Sequence, residues 1–341
     1  MARTPSEPIN APVHKADLRP IVGRFLGAYG LLLMLGILVL TFTFISPNFL
    51  SFANLTTMLD QNADLAIVAV GMTFAIISRN IDLAPGSLIA LAGVIAGLVF
   101  NLTGSLYLGL LCGVLIAILV DLLDGLLIGY MGVDPLIVTL AAWIWVRGLA
   151  ISLTGANSIV ISDPFIDFMN NTRVLGISPS IILIALAYLF GWFVLNKTRL
   201  GRYTFAMGGD ERATIQAGVN TAFYKVLMFG MLGLLAGLAA IVTLSRLGAA
   251  APDAAYGLEL DAIVAVIIGG TAFQGGEGSL RKTITGVLFI AVLNNGLRSQ
   301  GMRDADFFAY KGAAIMLALM FEVISRQLMH GRKQSVARSP E

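Results

Sequence analysis

VGMTFAIISRNIDLAPGSLIALAG, residues 70–93, sets two apolar runs on either side of a short polar turn. The runs extend outward over 62–78 and 84–102. Lipid offers backbone amides no water, so an apolar run of about 20 residues crosses it as a helix. The turn carries Asp82. A carboxylate at membrane depth is costly and needs a partner, water or a function. An ordinary cytoplasmic turn accounts for the same residues, with Asp82 and Ser87 capping the next helix. Both readings stay open on chemistry alone.

Eight further segments follow the same pattern: 26–46, 107–131, 135–153, 178–195, 224–245, 260–273, 283–297 and 307–325. Composition agrees with ten spans. Of 341 residues, 57% are hydrophobic and 12% charged, and mean hydropathy is +0.86. Water-soluble domains carry about 25% charged residues. The 37 glycines suit helices that approach closely in lipid. A net charge of +2 supplies no basic patch for nucleic acid. One cysteine, Cys112, excludes an internal disulfide, and with the two histidines, His14 and His330, in the tails argues against a transition-metal site. No cofactor is expected. MARTPSEPINAPVHKADLRP at the start lacks the apolar core of a cleavable signal.

Lysine and arginine near span ends orient the chain. With residue 1 inside, sixteen of the 22 lie on the cytoplasmic side. The other six are Arg147, Arg173, Arg246, Arg298, Arg303 and Lys311. The expected fold is an all-α polytopic membrane protein of about ten helices, some discontinuous, with both termini cytoplasmic. Residues 1–24 and 326–341 are then cytoplasmic tails around a transmembrane unit of 25–325. Eight spans satisfy the same tails if 62–78 and 260–273 are re-entrant. The longest outer loop is 154–177, with no strong helical pattern. The longest inner loop is 196–223, with a short helical stretch from about Asp210 to Ala217. Residues 76–88 and 267–280 share an apolar run followed by Gly-Ser-Leu, a faint echo of the repeats that place solute sites between halves.

Asp121 and Asp124 are three apart and share a helix face. They either line a solute path or sit near water at the helix end. Asp134-Pro135 reads as a helix cap and first turn. Arg147, further along that helix, either snorkels to the interface or neutralises a carboxylate in the bundle. In 208–220, GGDERATIQAGVN, Gly208-Gly209 reads as a hinge and Asp210-Glu211 suit a helix N-terminus. Arg212 offers a fork to a partner carboxylate, and Ala217-Gly218 close the stretch. The segment is a lever for a soluble partner or a plain connector. Gly269-Gly270-Thr271 permits close packing or broken backbone lining a cavity. Asn294-Asn295-Gly296 reads as a simple helix end. A solute path over faces bearing Asn62, Asp82, Asp121, Asp124 and Thr271 supplies the hydrogen-bonding groups a polyhydroxy solute needs. Arg173, Arg246, Arg298 and Arg303, on the cation-poor outer side, are candidate docking charges for a periplasmic protein.

In order along the chain, SPNFLSFANL (46–55), 70–93, DPLIVTLAAWIWVRGLA (134–150), FAMGGDERATIQAGVN (205–220), LELDAIVAVIIGGTAFQGGEGSL (258–280) and NNGL (294–297) resemble one family. It is that of the ribose, xylose, arabinose and galactofuranose permeases of bacterial ABC importers, and the likeness covers roughly 45–325. The resemblance implies a multi-pass protein of the bacterial inner membrane, surrounded by lipid. It implies a second permease (the same chain or a paralogue), ATP-binding cassette ATPase subunits and a periplasmic solute-binding protein that delivers a sugar. It places the ATPase-coupling helix at 208–219, and a gate or path role at Asp82 and Gly269-Gly270-Thr271. The sequence departs from the family at Arg79-Asn80, usually Gly-Gly, and at Asp210, usually Asn. It departs again at Asp124-Gly125, usually Asn-Gly, and at Arg281-Lys282, usually Gly-Thr.

No G-x-x-x-x-G-K-[ST] phosphate loop occurs in the chain. The nearest run, Gly269 to Gly278, lacks the Lys-Ser/Thr pair. The alternative to an ATP-driven importer is a stand-alone secondary transporter or facilitator for a small polar solute. The purified chain alone is expected to hydrolyse no ATP. Turnover above a detergent blank would contradict this.

Overall fold

The computed structural model describes residues 19–173 and 176–330. The expected tail residues 1–18 and 331–341 lie outside it. The described chain folds as α1 (Arg19–Ile45), α2 (Phe52–Gln61), α3 (Ala63–Ile77), α4 (Pro85–Thr103), α5 (Leu106–Gly129) and α6 (Pro135–Thr154). Next come β1 (Ile159–Val160), α7 (Pro164–Asn171), α8 (Pro179–Lys197), α9 (Arg199–Gln216), α10 (Thr221–Leu247) and β2 (Ala249–Ala250). The last elements are α11 (Leu258–Ile268), α12 (Leu280–Arg298) and α13 (Asp304–His330). β1 and β2 pair antiparallel, Ile159 with Ala250 and Val160 with Ala249. The protein is an all-α polytopic membrane protein.

Local chemistry sets the helix starts. Asp134 accepts from Leu136 N–H with Pro135 behind it, and Asp163 and Ser178 do the same before Pro164 and Pro179. On α5, Leu111, Leu115, Leu119 and Leu123 recur every fourth residue and are exposed, while Ala117, Val120, Asp121 and Asp124 on the other face are buried. An outward leucine stripe with a polar inner face is the reverse of a water-soluble helix and is what lipid requires.

All ten expected segments contain helix, but their lengths differ. Among the described residues five helices (α4, α5, α6, α8 and α10) are long and apolar enough to cross a bilayer. α2 and α3 qualify as a sixth only together, bent by 54° at Asn62. The segment expected at 260–273 is the eleven-residue α11, about 16 Å at 1.5 Å per residue and half a bilayer. Two loop expectations change. The outer loop holds α7, a short amphipathic helix started by its Asp-Pro cap. The inner loop is helical from Arg199, with one break at Asp210. Asn294, Asn295 and Gly296 do not end their helix, which runs on to Arg298.

α3 is the axis: all fifteen of its residues are buried, packed chiefly against α10, α11 and α8. Around it α4, α5 and α10 pack closely over glycine. A Cβ on Gly113 would lie 2.4 Å from the Ala92 carbonyl oxygen, and one on Gly286 1.8 Å from that of Ala265. Both neighbours are backbone and cannot swing aside. Gly286→Ala and Gly113→Ala are therefore expected to destabilise the chain in detergent by about 1–3 kcal/mol each. Gly148→Ala, with open space around it, is expected to leave the melting temperature within error. Equal melting of all three variants would refute the close-packing account.

Candidate functional site

The structure sorts the chemistry-bearing residues into three places. The first is a cavity of about 410 Å³ between the start of α3, the end of α10, α11, the end of α12 and the start of α13. The α2–α3 bend brings Asn62 to its wall. Asn62 donates to the Met58 carbonyl at 2.8 Å and accepts from Asn294 Nδ2 at 3.1 Å. Asp64 Oδ2 accepts from Arg246 at 2.8 Å and from Thr243 Oγ1 at 3.1 Å. Arg246 also donates to the Gln61 carbonyl. Lys311 Nζ lies 2.5 Å from Asp261 Oδ2. Arg298 stands over the Phe307 ring, 4.7 Å from its centroid. Tyr256 and Phe308 complete an aromatic margin. Both carboxylates are thus already paired with cations, and rings and amides remain to face a ligand.

The second place is the interior between the 78–84 turn, α4 and α5. Asp82, Asp121 and Asp124 are buried there, near enough to feel one another's charge. Asp82 Oδ1 accepts from Ala84 N–H at 2.8 Å and so shapes the turn into α4. Ser87 does not cap that helix: its hydroxyl donates to the Trp143 carbonyl on α6 at 2.8 Å. No group among the described residues donates to Asp82 Oδ2 or to either oxygen of Asp121. Among the described residues no group of three His, Cys, Asp or Glu could hold a metal. Arg147 does not snorkel to the interface; it lies inside the bundle, near enough to the buried Glu259 carboxylate to feel its charge. It is buried and donates to the carbonyls of Pro252 at 3.0 Å and Ala254 at 2.7 Å. That clamp holds the non-helical stretch 251–257. Glu259, which follows it, is met by Trp143 Nε1 at 3.0 Å.

The third place is the opposite end of the bundle from α2 and α7. α9 breaks at Asp210, where φ is −150° and ψ is 105°. Asp210 Oδ1 accepts from Ala213 N–H at 3.0 Å, and its carbonyl from Thr214 Oγ1 at 2.7 Å, so a new short helix starts there. Glu211 pairs with Lys225 of α10 at 2.6 Å. Arg212, Ile215 and Ala217 are exposed, and Gly218, with φ +82°, ends the turn in the left-handed region. Gly209 has open space, but Gly208 is buried against backbone and is no free hinge. Gly269, Gly270 and Thr271 open the loop to α12 at this same end. A Cβ on Gly269 would meet the Lys282 carbonyl at 2.7 Å, and Thr271 is buried.

Asn62, the three aspartates and Thr271 therefore do not share one open channel in this conformation. The four arginines also separate. Arg173, 3.7 Å from Asp60, and Arg303, 88% exposed in its side chain and 3.2 Å from Asp306, stay at the surface. Arg246 and Arg298 line the cavity. Sequence reasoning passed over Asp64, Asp261 and Lys311. The signal was there, since each is a charge at the edge of an apolar run, but its partner lies 50 or more residues away.

A family model described as branched-chain amino acid transport system / permease component matches residues 54–324. The chain is 33% identical over 295 residues to the ribose import permease protein of Escherichia coli (strain K12), covering 85% of this chain and 92% of that one. It is 36% identical over 312 residues to the ribose import permease protein of Bacillus subtilis (strain 168), covering 91% and 95%. It is 34% identical over 301 residues to the D-allose transport system permease protein of E. coli (strain K12), covering 87% and 92%. No solved structure matches the chain.

The Asp64–Arg246 pair is half shielded, with side chains 5% and 34% exposed. Removing one partner leaves the other's charge uncompensated. Asp64→Ala is expected to cost about 2–3 kcal/mol of stability, and Asp64→Ala with Arg246→Ala less than the two single costs added. Strict additivity in detergent melts would show that the pair carries no coupling.

Proposed function

The chain belongs to the family of branched-chain amino acid transport system permease components, and from that premise we propose that it imports a sugar or sugar-like solute, driven by separate ATP-binding cassette subunits. As a permease component it is a non-enzymatic, multi-pass membrane subunit. The family's description names amino acids, whereas the relatives above are named for ribose and allose. The cavity beside α3 favours the sugars. A branched aliphatic side chain needs an apolar pocket. This wall offers the amides of Asn62 and Asn294 and the exposed rings of Tyr256 and Phe308, with Asp64 and Asp261 held by cations. Hydroxyls bind amides and shared carboxylates, while sugar C–H faces lie on rings. That lining is the observation that carries the reading.

In this reading the α9 end faces the cytoplasm, as the lysine and arginine bias requires. The helix after Asp210 docks on an ATP-binding subunit through Arg212, Ile215 and Ala217. The cavity end faces a periplasmic binding protein, with Arg173 and Arg303 as its docking charges. A second permease completes the path, and Asp82, Asp121 and Asp124 join it when the bundle opens.

The test is uptake into proteoliposomes holding the chain with its ATP-binding subunits and binding protein. Pentoses or hexoses are expected to accumulate with ATP, and leucine is not. Tyr256→Ala should lower sugar uptake about fivefold, as about 1 kcal/mol of ring contact implies. Accumulation of leucine instead would assign the cargo to amino acids. Uptake without ATP would make the chain a stand-alone transporter.

A further inference from the structure

Ile77 ends α3, where a carbonyl oxygen has no partner within its own helix. That oxygen accepts from Gly276 N–H at 2.8 Å, in the loop between α11 and α12. The same oxygen is packed from α9: a Cβ on Gly208 would lie 1.7 Å from it and 2.5 Å from Gly276 N. A Cβ on Gly275 would lie 2.9 Å from it. Three elements far apart in sequence thus touch through backbone, with no room for a side chain between them.

Arg79 sits on this junction. Its φ is +63°, in the left-handed region that favours glycine. An arginine stays there only when its surroundings hold it. They do. Its aliphatic stem lies over Gly275, where a Cβ would come within 2.5 Å of Arg79 Cγ. Its Nη2 donates to the Gly209 carbonyl at 3.3 Å. Gly209 immediately precedes Asp210, the residue at which α9 breaks. The guanidinium therefore grips the root of the short helix, and its backbone belongs to the end of α3.

We propose that Arg79 is a positioning residue that ties the short helix after Asp210 to α3, so that a displacement of that helix is delivered to α3. α3 is buried along its whole length, and its other end bears Asp64 on the cavity wall. A rod so enclosed carries displacement at one end to the other. Movement at Gly209 thus biases the Asp64–Arg246 pair. The inference rests on the reading of the short helix as the dock for an ATP-binding subunit.

Three variants in the assembled complex test it. Arg79→Gly removes the grip and suits the left-handed backbone, so it is expected to fold and assemble at least as well as the native chain. ATP hydrolysis should persist, while solute moved per ATP falls at least about fivefold, the low end of typical coupling between sites. Arg79→Ala should lose coupling equally and also melt lower, since the strain stays. Arg79→Lys can still reach one carbonyl and should restore much of the coupling. Native transport per ATP in Arg79→Gly would overturn the proposal and leave the importer reading intact. A second measurement is independent of that reading. In the purified chain, amide hydrogen exchange over 210–218 should rise at least about fivefold in Arg79→Gly. Unchanged exchange there would equally overturn the tie.

Discussion

The complete burial of α3 is the constraint on which the rest depends. From Ala63 to Ile77 no face of it is free. A helix held on all sides cannot change its environment by itself, because packed interiors do not deform continuously. α10, α11 and α8 must move with it. Between its ends the one polar side chain is Thr73, whose hydroxyl meets that of Thr283 at 2.8 Å. At Asn62 and Asp64 the helix meets amides and a paired arginine, and at Ile77 it meets the backbone of two other segments. The charged and amide groups that α3 touches are thus stationed at the ends of the rod.

Close packing across the bundle uses backbone, and that has a physical reason. Between helices in lipid there is little hydrophobic gain to be had, because tails are as apolar as leucine. Contact must come from fit. Gly208 on Ile77, Gly113 on Ala92 and Gly286 on Ala265 each bring one segment's Cα onto another's carbonyl. Such contacts either hold or separate. They suit a molecule that alternates between a few arrangements better than soft side-chain packing does.

Much of the fold was legible because lipid imposes length and apolarity on every span. The ten apolar runs are helical, and Asp134-Pro135 marks a helix start as its chemistry requires. Three features were not legible. The bend at Asn62 lies in the polar stretch Asp60-Gln61-Asn62 at the start of an apolar run and has no proline or glycine to mark it. The pairing of Asn294 with Asn62 spans 232 residues, so the NNG triplet carries the same local signature as a helix end. Arg147 could be recognised as a charge needing a partner, but carbonyls of a folded-back stretch leave no trace in composition. The site was legible only in part for the same reason. Asn62 was found as a polar residue at the start of an apolar run, whereas its neighbours Asp64, Asp261 and Lys311 become a site only through contacts across the chain.

Arg79 shows how a charge in a departure from the family pattern acquires a meaning that sequence alone withholds. In the sequence it is one more cation on the side rich in cations. In the structure its backbone takes a conformation that costs an arginine about 1–2 kcal/mol, and its guanidinium spans to Gly209. A glycine would adopt the same backbone without that cost but could not bridge. The bond is partly exposed and returns little net stability by itself, about 1 kcal/mol or somewhat more for a charged donor. Strain and bond nearly cancel, so stability gives no reason to prefer arginine here. What arginine adds is a connection between the end of α3 and the break in α9, and a connection matters only to a part that moves.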